Sequence, residues 1–131
     1  MEFVNFAISK RLKDLGYNVP FFFFYRTDDQ LIHHAVVGQP LVYGKRVDNE
    51  VVIAPTISQV LDWFRKEHHL HFEVVGAAYG YNLIISDTPD KGGTDRYYSH
   101  ANDDGPNYAG AWDDYNDCVL YGIEYALNNL I

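Results

Sequence analysis

Four consecutive phenylalanines, Phe21, Phe22, Phe23 and Phe24, followed by Tyr25, constrain this chain more than any other feature. Pro20 precedes them, and residues 27–30 (Thr-Asp-Asp-Gln) read as a turn, so the run is too short for a helix and fits a strand. Successive side chains of a strand point to opposite faces. Aromatic rings therefore fall on both faces, which predicts a central strand, or one covered on both sides, rather than a half-solvated edge.

The flanking sequence supplies partners. Residues 31–37 read as the hairpin partner, with His33 and His34 on opposite faces. Gly38, Gln39 and Pro40 interrupt, residues 41–43 read as a short extension, 44–49 as loop, and 50–54 as a further short strand. Upstream, Val4, Ile8, Leu12 and Leu15 recur at steps of three and four, giving the apolar stripe of a helix. Gly16 follows where a left-handed cap is wanted, and Pro20 blocks continuation.

A second helix has the clearest local signature. Thr56 and Gln59 have capping-box spacing, in which each side chain satisfies the other residue's backbone N–H. Pro55 and Val60 stand at the positions of a hydrophobic staple. Ile57, Val60, Leu61, Phe64 and His68 are expected inward, Asp62, Arg65 and Lys66 outward, with the end near His68 and His69. Phe72, Val74 and Gly76 then alternate with Glu73, Val75 and Ala77 as a strand, residues 76–80 carry a turn or bulge, and 81–86 return. Residues 87–93 and 102–110 are loop by composition, with Arg96, Tyr97 and Tyr98 as a brief strand. The last helix is expected from about Asp114, capped by Asp113 or Trp112, on the stripe Leu120, Ile123, Leu127 and Leu130, broadened by Tyr115, Val119 and Ala126. Gly122 lies inside it at a cost of about 1 kcal/mol against Ala, which predicts close approach of the helix backbone to the sheet. The expected fold is α+β, a single domain over 1–131. About three helices pack on one face of a small, mostly antiparallel sheet, in the order α-β-β-(β)-α-β-β-α.

Charge is distributed unevenly. The net charge is -8, yet residues 1–85 hold nine acids and eight bases, while 86–117 hold eight Asp against Lys91 and Arg96. An acidic chain repels phosphate, so nucleic acid is not an expected partner. A lone Cys118 makes no internal disulfide. No apolar run approaches the roughly 20 residues of a membrane span, and the N-terminus lacks the pattern of a signal peptide. A cytoplasmic location and no membrane association are the expectation.

Candidate chemistry is sparse. His68, His69 and His71 cluster at a helix-to-strand junction. Adjacent helical residues diverge by about 100°, so His68 and His69 do not converge on one ion, and one imidazole in the core with another near the carbonyl-rich helix end is the expectation; His68 and His71 with a late-loop Asp are the alternative, as metal ligands. Asp87, Asp90 and Asp95 around Gly92 and Gly93 bring carboxylates and glycines together without calcium-loop spacing. Ser58, Ser86 and Ser99 sit in no nucleophile elbow, and Cys118, beside Val119 and Leu120, reads as a small buried hydrophobe. No catalytic residue and no cofactor is identified. The tyrosines are more telling: eight of eleven follow residue 78, among the Asp residues. Tyr and Trp offer rigid contact area with a polar tip. Residues 87–112 are therefore the expected contact surface, carried by Asp95, Tyr97, Tyr98, Asp103, Tyr108 and Trp112; the alternative is that these rings cover the sheet edge and the last helix.

One stretch runs Ala54-Pro55-Thr56, Val60, Trp63-Phe64-Arg65, His68, His71-Phe72, Val74; another runs Tyr115-Asn116-Asp117-Cys118, Gly122-Ile123, Tyr125-Ala126-Leu127, Leu130-Ile131. Both resemble segments of small uncharacterised α+β proteins of gut anaerobes and their prophages. Cys118 stands where that group's ending has Ala. The resemblance implies an α+β fold and association with a mobile element; it brings no catalytic residue. The resulting expectation is a small, acidic, non-enzymatic accessory protein that binds another protein. A metal-binding module or enzyme using His68 and His71, and a nucleic-acid mimic built on the Asp residues, are the alternatives; a homodimer is compatible with all three.

Overall fold

In a computed structural model of the chain, residues 2–26, 30–33, 39–41, 43, 51–92, 95–99 and 102–131 are described. The elements run α1 (Phe6–Asp14), β1 (Phe23–Tyr25), β2 (Leu31–His33), β3 (Val52–Ile53), α2 (Ile57–His68), β4 (Leu70–Ala77), β5 (Gly80–Asp87), a 3-10 turn (Pro89–Lys91), β6 (Arg96–Tyr98) and α3 (Tyr115–Asn129). The class is α+β, as the sequence leads one to expect. The strands, however, divide into two antiparallel three-stranded sheets, β2-β1-β3 and β4-β5-β6. Strands pair most readily with their neighbours along the chain, and a 12-residue helix separates the two groups. The chain has two compact units, Met1–Gln59 and Val60–Ile131.

In the first unit, β1 is the central strand and its two faces are both covered. Phe24 packs with Leu41, Val51 and Ile53, flanked by Phe21, Ile32 and Tyr43. On the opposite face Tyr25 packs with Val52 and Ala54, flanked by Phe3, Phe6 and Phe23. Full burial of such a side chain stabilises by roughly 1.5–3 kcal/mol, so the aromatic run anchors this unit. The Tyr25 hydroxyl donates to the Val4 carbonyl at 2.8 Å, which satisfies its polar end. Helix α1 starts two residues after the first position of the stripe, because Asn5 accepts from the Ile8 N–H at 2.9 Å and caps it. Ile8 and Leu12 are buried, Leu15 is exposed, and Gly16 takes φ 90° just past the helix end. At the start of α2, the Thr56 N–H donates to Gln59 Oε1 (2.9 Å) and the Gln59 N–H to Thr56 Oγ1 (3.2 Å), the expected capping box. The expected turn at 27–30, strand residues 34–37 and loop at 44–49 lie wholly or mostly outside the described residues.

In the second unit, β4 and β5 form an eight-pair hairpin from Leu70↔Asp87 to Ala77↔Gly80. Leu83 and Ile85 alternate with Ile84 and Ser86, and the Leu83/Ile85 face is fully buried. Helix α3 packs on it: a Cβ placed on Gly122 would lie 3.0 Å from Leu83 Cδ2 and 3.3 Å from Phe72 Cδ2. The glycine thus permits the close helix–sheet approach that its mid-helix position implies. Phe64 of α2 meets Phe72 with ring centroids 5.2 Å apart. Asp114, one residue beyond the expected cap, accepts from the Asn116 N–H at 3.0 Å and starts α3.

Candidate functional site

The site begins with a hairpin that turns in two residues. Ala78 and Tyr79 form the tip between β4 and β5, and Gly80 takes φ 133°, a conformation side chains resist. A side chain at such a tip projects beyond the sheet, and Tyr79 is 43% exposed. Its hydroxyl accepts from Asn82 Nδ2 at 2.9 Å, which restrains the ring.

The 103–113 loop is fastened to this tip. Tyr81 and Trp112 exchange backbone hydrogen bonds of 2.7 and 3.0 Å, so the loop's last residues extend the hairpin as a one-residue bridge. Asn107 organises the rest. Its Oδ1 accepts from the Ala109 and Ala111 N–H groups, both at 2.9 Å. Its Nδ2 donates to the Tyr79 carbonyl (2.9 Å) and to Asp113 Oδ1 (3.0 Å). Three glycines let the strands of this knot touch. A Cβ would lie 2.7 Å from the Trp112 carbonyl oxygen at Gly80, 2.2 Å from the Ala111 carbonyl carbon at Gly105, and 1.7 Å from Asp103 Oδ1 at Gly110. Loop and hairpin therefore form one hydrogen-bonded piece.

Between them lies an open cleft of about 710 Å³, lined by residues 76–81, Tyr108 and Asp113. Beside it a second hollow of about 400 Å³ is lined by Tyr79, Asn82, Asp103, Tyr108 and Ala109. Tyr108 is 95% exposed, and the fold makes almost no use of its ring. Residues 97–131 carry six acids and no Lys or Arg, and one carboxylate lines each hollow, Asp113 the larger and Asp103 the smaller.

Six residues carried the expected contact surface, and the structure separates them. Tyr98 (2% exposed) and Trp112 (6% exposed) are core, which corrects their assignment to the surface. Strand alternation is the reason for Tyr98: it pairs with Ile85 on the covered face, and its ring lies 4.9 Å from that of Tyr125. Trp112 is drawn in by its bridge to Tyr81 and packs on Tyr121, with centroids 4.9 Å apart. Tyr97 alternates outward, and its hydroxyl donates to Asp87 Oδ1 at 2.6 Å, an acceptor that raises its pKa. Asp95 is exposed, and its carbonyl accepts from the Asp87 N–H. Neither Tyr97 nor Asp95 lines either hollow, whereas Tyr108 lines both and Asp103 the smaller one. Tyr79, Asn107 and Asp113 were not singled out from the sequence. A tyrosine inside a two-residue turn was the available signal, since it cannot reach a core.

Several late aspartates are held by the fold itself. Asp104 Oδ2 accepts from the hydroxyls of Tyr98 (3.0 Å) and Tyr121 (2.8 Å). Burial, and then this carboxylate, push both phenols up in pKa. Asp114 caps α3, Asp113 takes Asn107, and Asp87 takes Tyr97. Each of these carboxylates has a different set of partners.

The histidines do not assemble with these aspartates. His68 packs edge-on against Trp63 at 4.6 Å, and burial there lowers its pKa. His71 pairs with Ser86 across the hairpin. His69, at φ 55°, places Nδ1 3.7 Å from Asp90 Oδ2. Among the described residues no three His, Cys, Asp or Glu side chains converge as a metal site requires, so His68 and His71 are not joined there by a late-loop Asp. Cys118 is fully buried, and desolvation pushes its thiol up to about 11. Among the described residues, no helix is long and apolar enough to cross a membrane. Compared with protein-family models, with curated proteins and with solved structures, the chain matches none.

Proposed function

We propose that this chain is a small, non-enzymatic accessory protein that acts by binding another protein through the hairpin tip and the 103–113 loop. A cytoplasmic setting and the mobile-element association implied by its resemblance belong to the same proposal. The observation that carries it is the pairing of an almost fully exposed ring, Tyr108, with a cleft whose walls are hydrogen-bonded in place. Exposed aromatic side chains on a preorganised surface are the usual anchors of protein recognition, because little conformational entropy is lost when they are covered. The tethering by Asn107 supports the same reading: the loop is fastened to the hairpin tip before any partner arrives.

The test is site-specific photo-crosslinking in extract of the source cells. A photoreactive residue at position 108 is expected to give a discrete protein adduct. The same residue at position 66, an exposed site on α2, is expected to give none. Equal adducts at both positions, or none at 108, would refute the proposal.

A further inference from the structure

We infer that the cleft receives an arginine side chain of the partner, held against Tyr79 and Tyr108 by the carboxylate of Asp113, with the Asp103 carboxylate in the adjoining hollow; this rests on the protein-binding reading above. Three observations converge. Tyr79 and Tyr108 line both hollows, so a group in the larger one lies beside both tyrosines. A carboxylate lies in each hollow, Asp113 in the larger and Asp103 in the smaller. The 97–131 segment that supplies three of these four side chains holds no Lys or Arg of its own to neutralise them. A guanidinium is planar, always charged and weakly hydrated; it stacks on aromatic faces and pairs with carboxylates through a fork of donors. An ammonium offers the charge without the stacking plane, and a neutral sugar ring would use the tyrosines without the charge.

The recess is also shaped for a long side chain. Gly76, Ala77 and Ala78 line it with nothing larger than a methyl group, and the Tyr81 ring, 3.4 Å from where a Gly76 Cβ would stand, gives an aliphatic stem a wall to lie on. Asp113 is aimed by Asn107 and Tyr79 by Asn82, so neither has to be ordered by the incoming group.

The probe is a peptide of three Gly-Ser-Arg repeats, compared with lysine and citrulline versions by NMR titration of the intact chain. The arginine peptide is expected to shift the amides of residues 79, 108 and 113, to bind several-fold more tightly than the lysine peptide, and to weaken with added salt. The citrulline peptide is expected not to bind. Tyr108→Ala, which leaves the charge unchanged, should weaken binding about fivefold to tenfold. Asp113→Asn retains an acceptor for Asn107 and should weaken binding about fivefold. Glu124→Gln, an equal loss of charge on exposed α3, should leave affinity within about twofold. Equal effects of Asp113→Asn and Glu124→Gln would mean a diffuse field and overturn the inference. So would equal binding of the citrulline peptide, or displacement by a neutral oligosaccharide. A crosslinked partner at position 108 without arginine binding would sink this inference alone. Arginine binding without any adduct would sink the protein-partner reading and leave the guanidinium site standing.

Discussion

Gly122→Ala sets two effects of known size against each other. Replacing a mid-helix glycine by alanine stabilises an unobstructed helix by about 1 kcal/mol. Here the new Cβ would stand 3.0 and 3.1 Å from the two Leu83 methyls and 3.3 Å from Phe72 Cδ2. Carbon atoms settle at about 3.5–4.0 Å, so these neighbours must retreat by a few tenths of an ångström. Leu83 has no exposed surface into which to move, and overpacking of such a site costs about 1–3 kcal/mol. With a cost near 2 kcal/mol, the net expectation is destabilisation of about 1 kcal/mol. Leu83→Ala removes the obstructing methyls and by itself costs about 2–5 kcal/mol. In that background Gly122→Ala should stabilise by the full helix increment of about 1 kcal/mol. The two substitutions are then coupled by about 2 kcal/mol, measured as a double-mutant cycle from urea midpoints. Stabilisation by Gly122→Ala in the parent chain, or additivity within about 0.5 kcal/mol, would refute the packing argument.

Other perturbations address the remaining features. Asp104→Ala removes the acceptor of two phenols and leaves the Tyr98 hydroxyl without it in a buried site; a loss of about 1–3 kcal/mol by urea melting is expected, and a null effect would contradict it. Gly105→Ala drives a methyl into the Ala111 backbone, so hydrogen exchange at the Tyr81 and Trp112 amides should quicken while α3 stays protected. Burial raises Tyr43 to about 12. The unfolded chain releases this proton from about pH 10, so stability is full below that pH and should fall as pH rises from 10 towards 12; a Tyr43→Phe chain should show a shallower fall across that window. Cys118 should resist a thiol reagent at pH 8 until the chain is unfolded, as burial and its raised pKa both require.

Short-range chemistry was legible in the residues. The capping box at Thr56 and Gln59 needs only four consecutive positions and the directions of their N–H groups, so it follows from spacing. The aromatic run had to be covered on both faces whatever surrounded it, and β1 is central for that reason. Gly122 announced a close approach because nothing else offsets a glycine inside a helix. Asp104 was less legible: it reads as a turn residue, and its two tyrosines come from six and 17 positions further on or back.

The cleft belongs to a different class of information. Tyr97 and Tyr98 are chemically identical neighbours, yet strand alternation exposes one and buries the other. Which faces out depends on the register of β6 against β5, a pairing of residues ten or more positions apart. Tyr79 and Asn107 are 28 positions apart and meet through a single backbone carbonyl. Sequence alone therefore determined the class of fold, the start of α2 and the two-faced strand, because each rests on forces acting within a turn or along one strand. Only tertiary structure decided that the strands split into two sheets, that Trp112 turns inward, and that Tyr79, Tyr108 and Asp113 border one recess. Those outcomes depend on which distant backbone segments share hydrogen bonds, and local composition does not encode that choice.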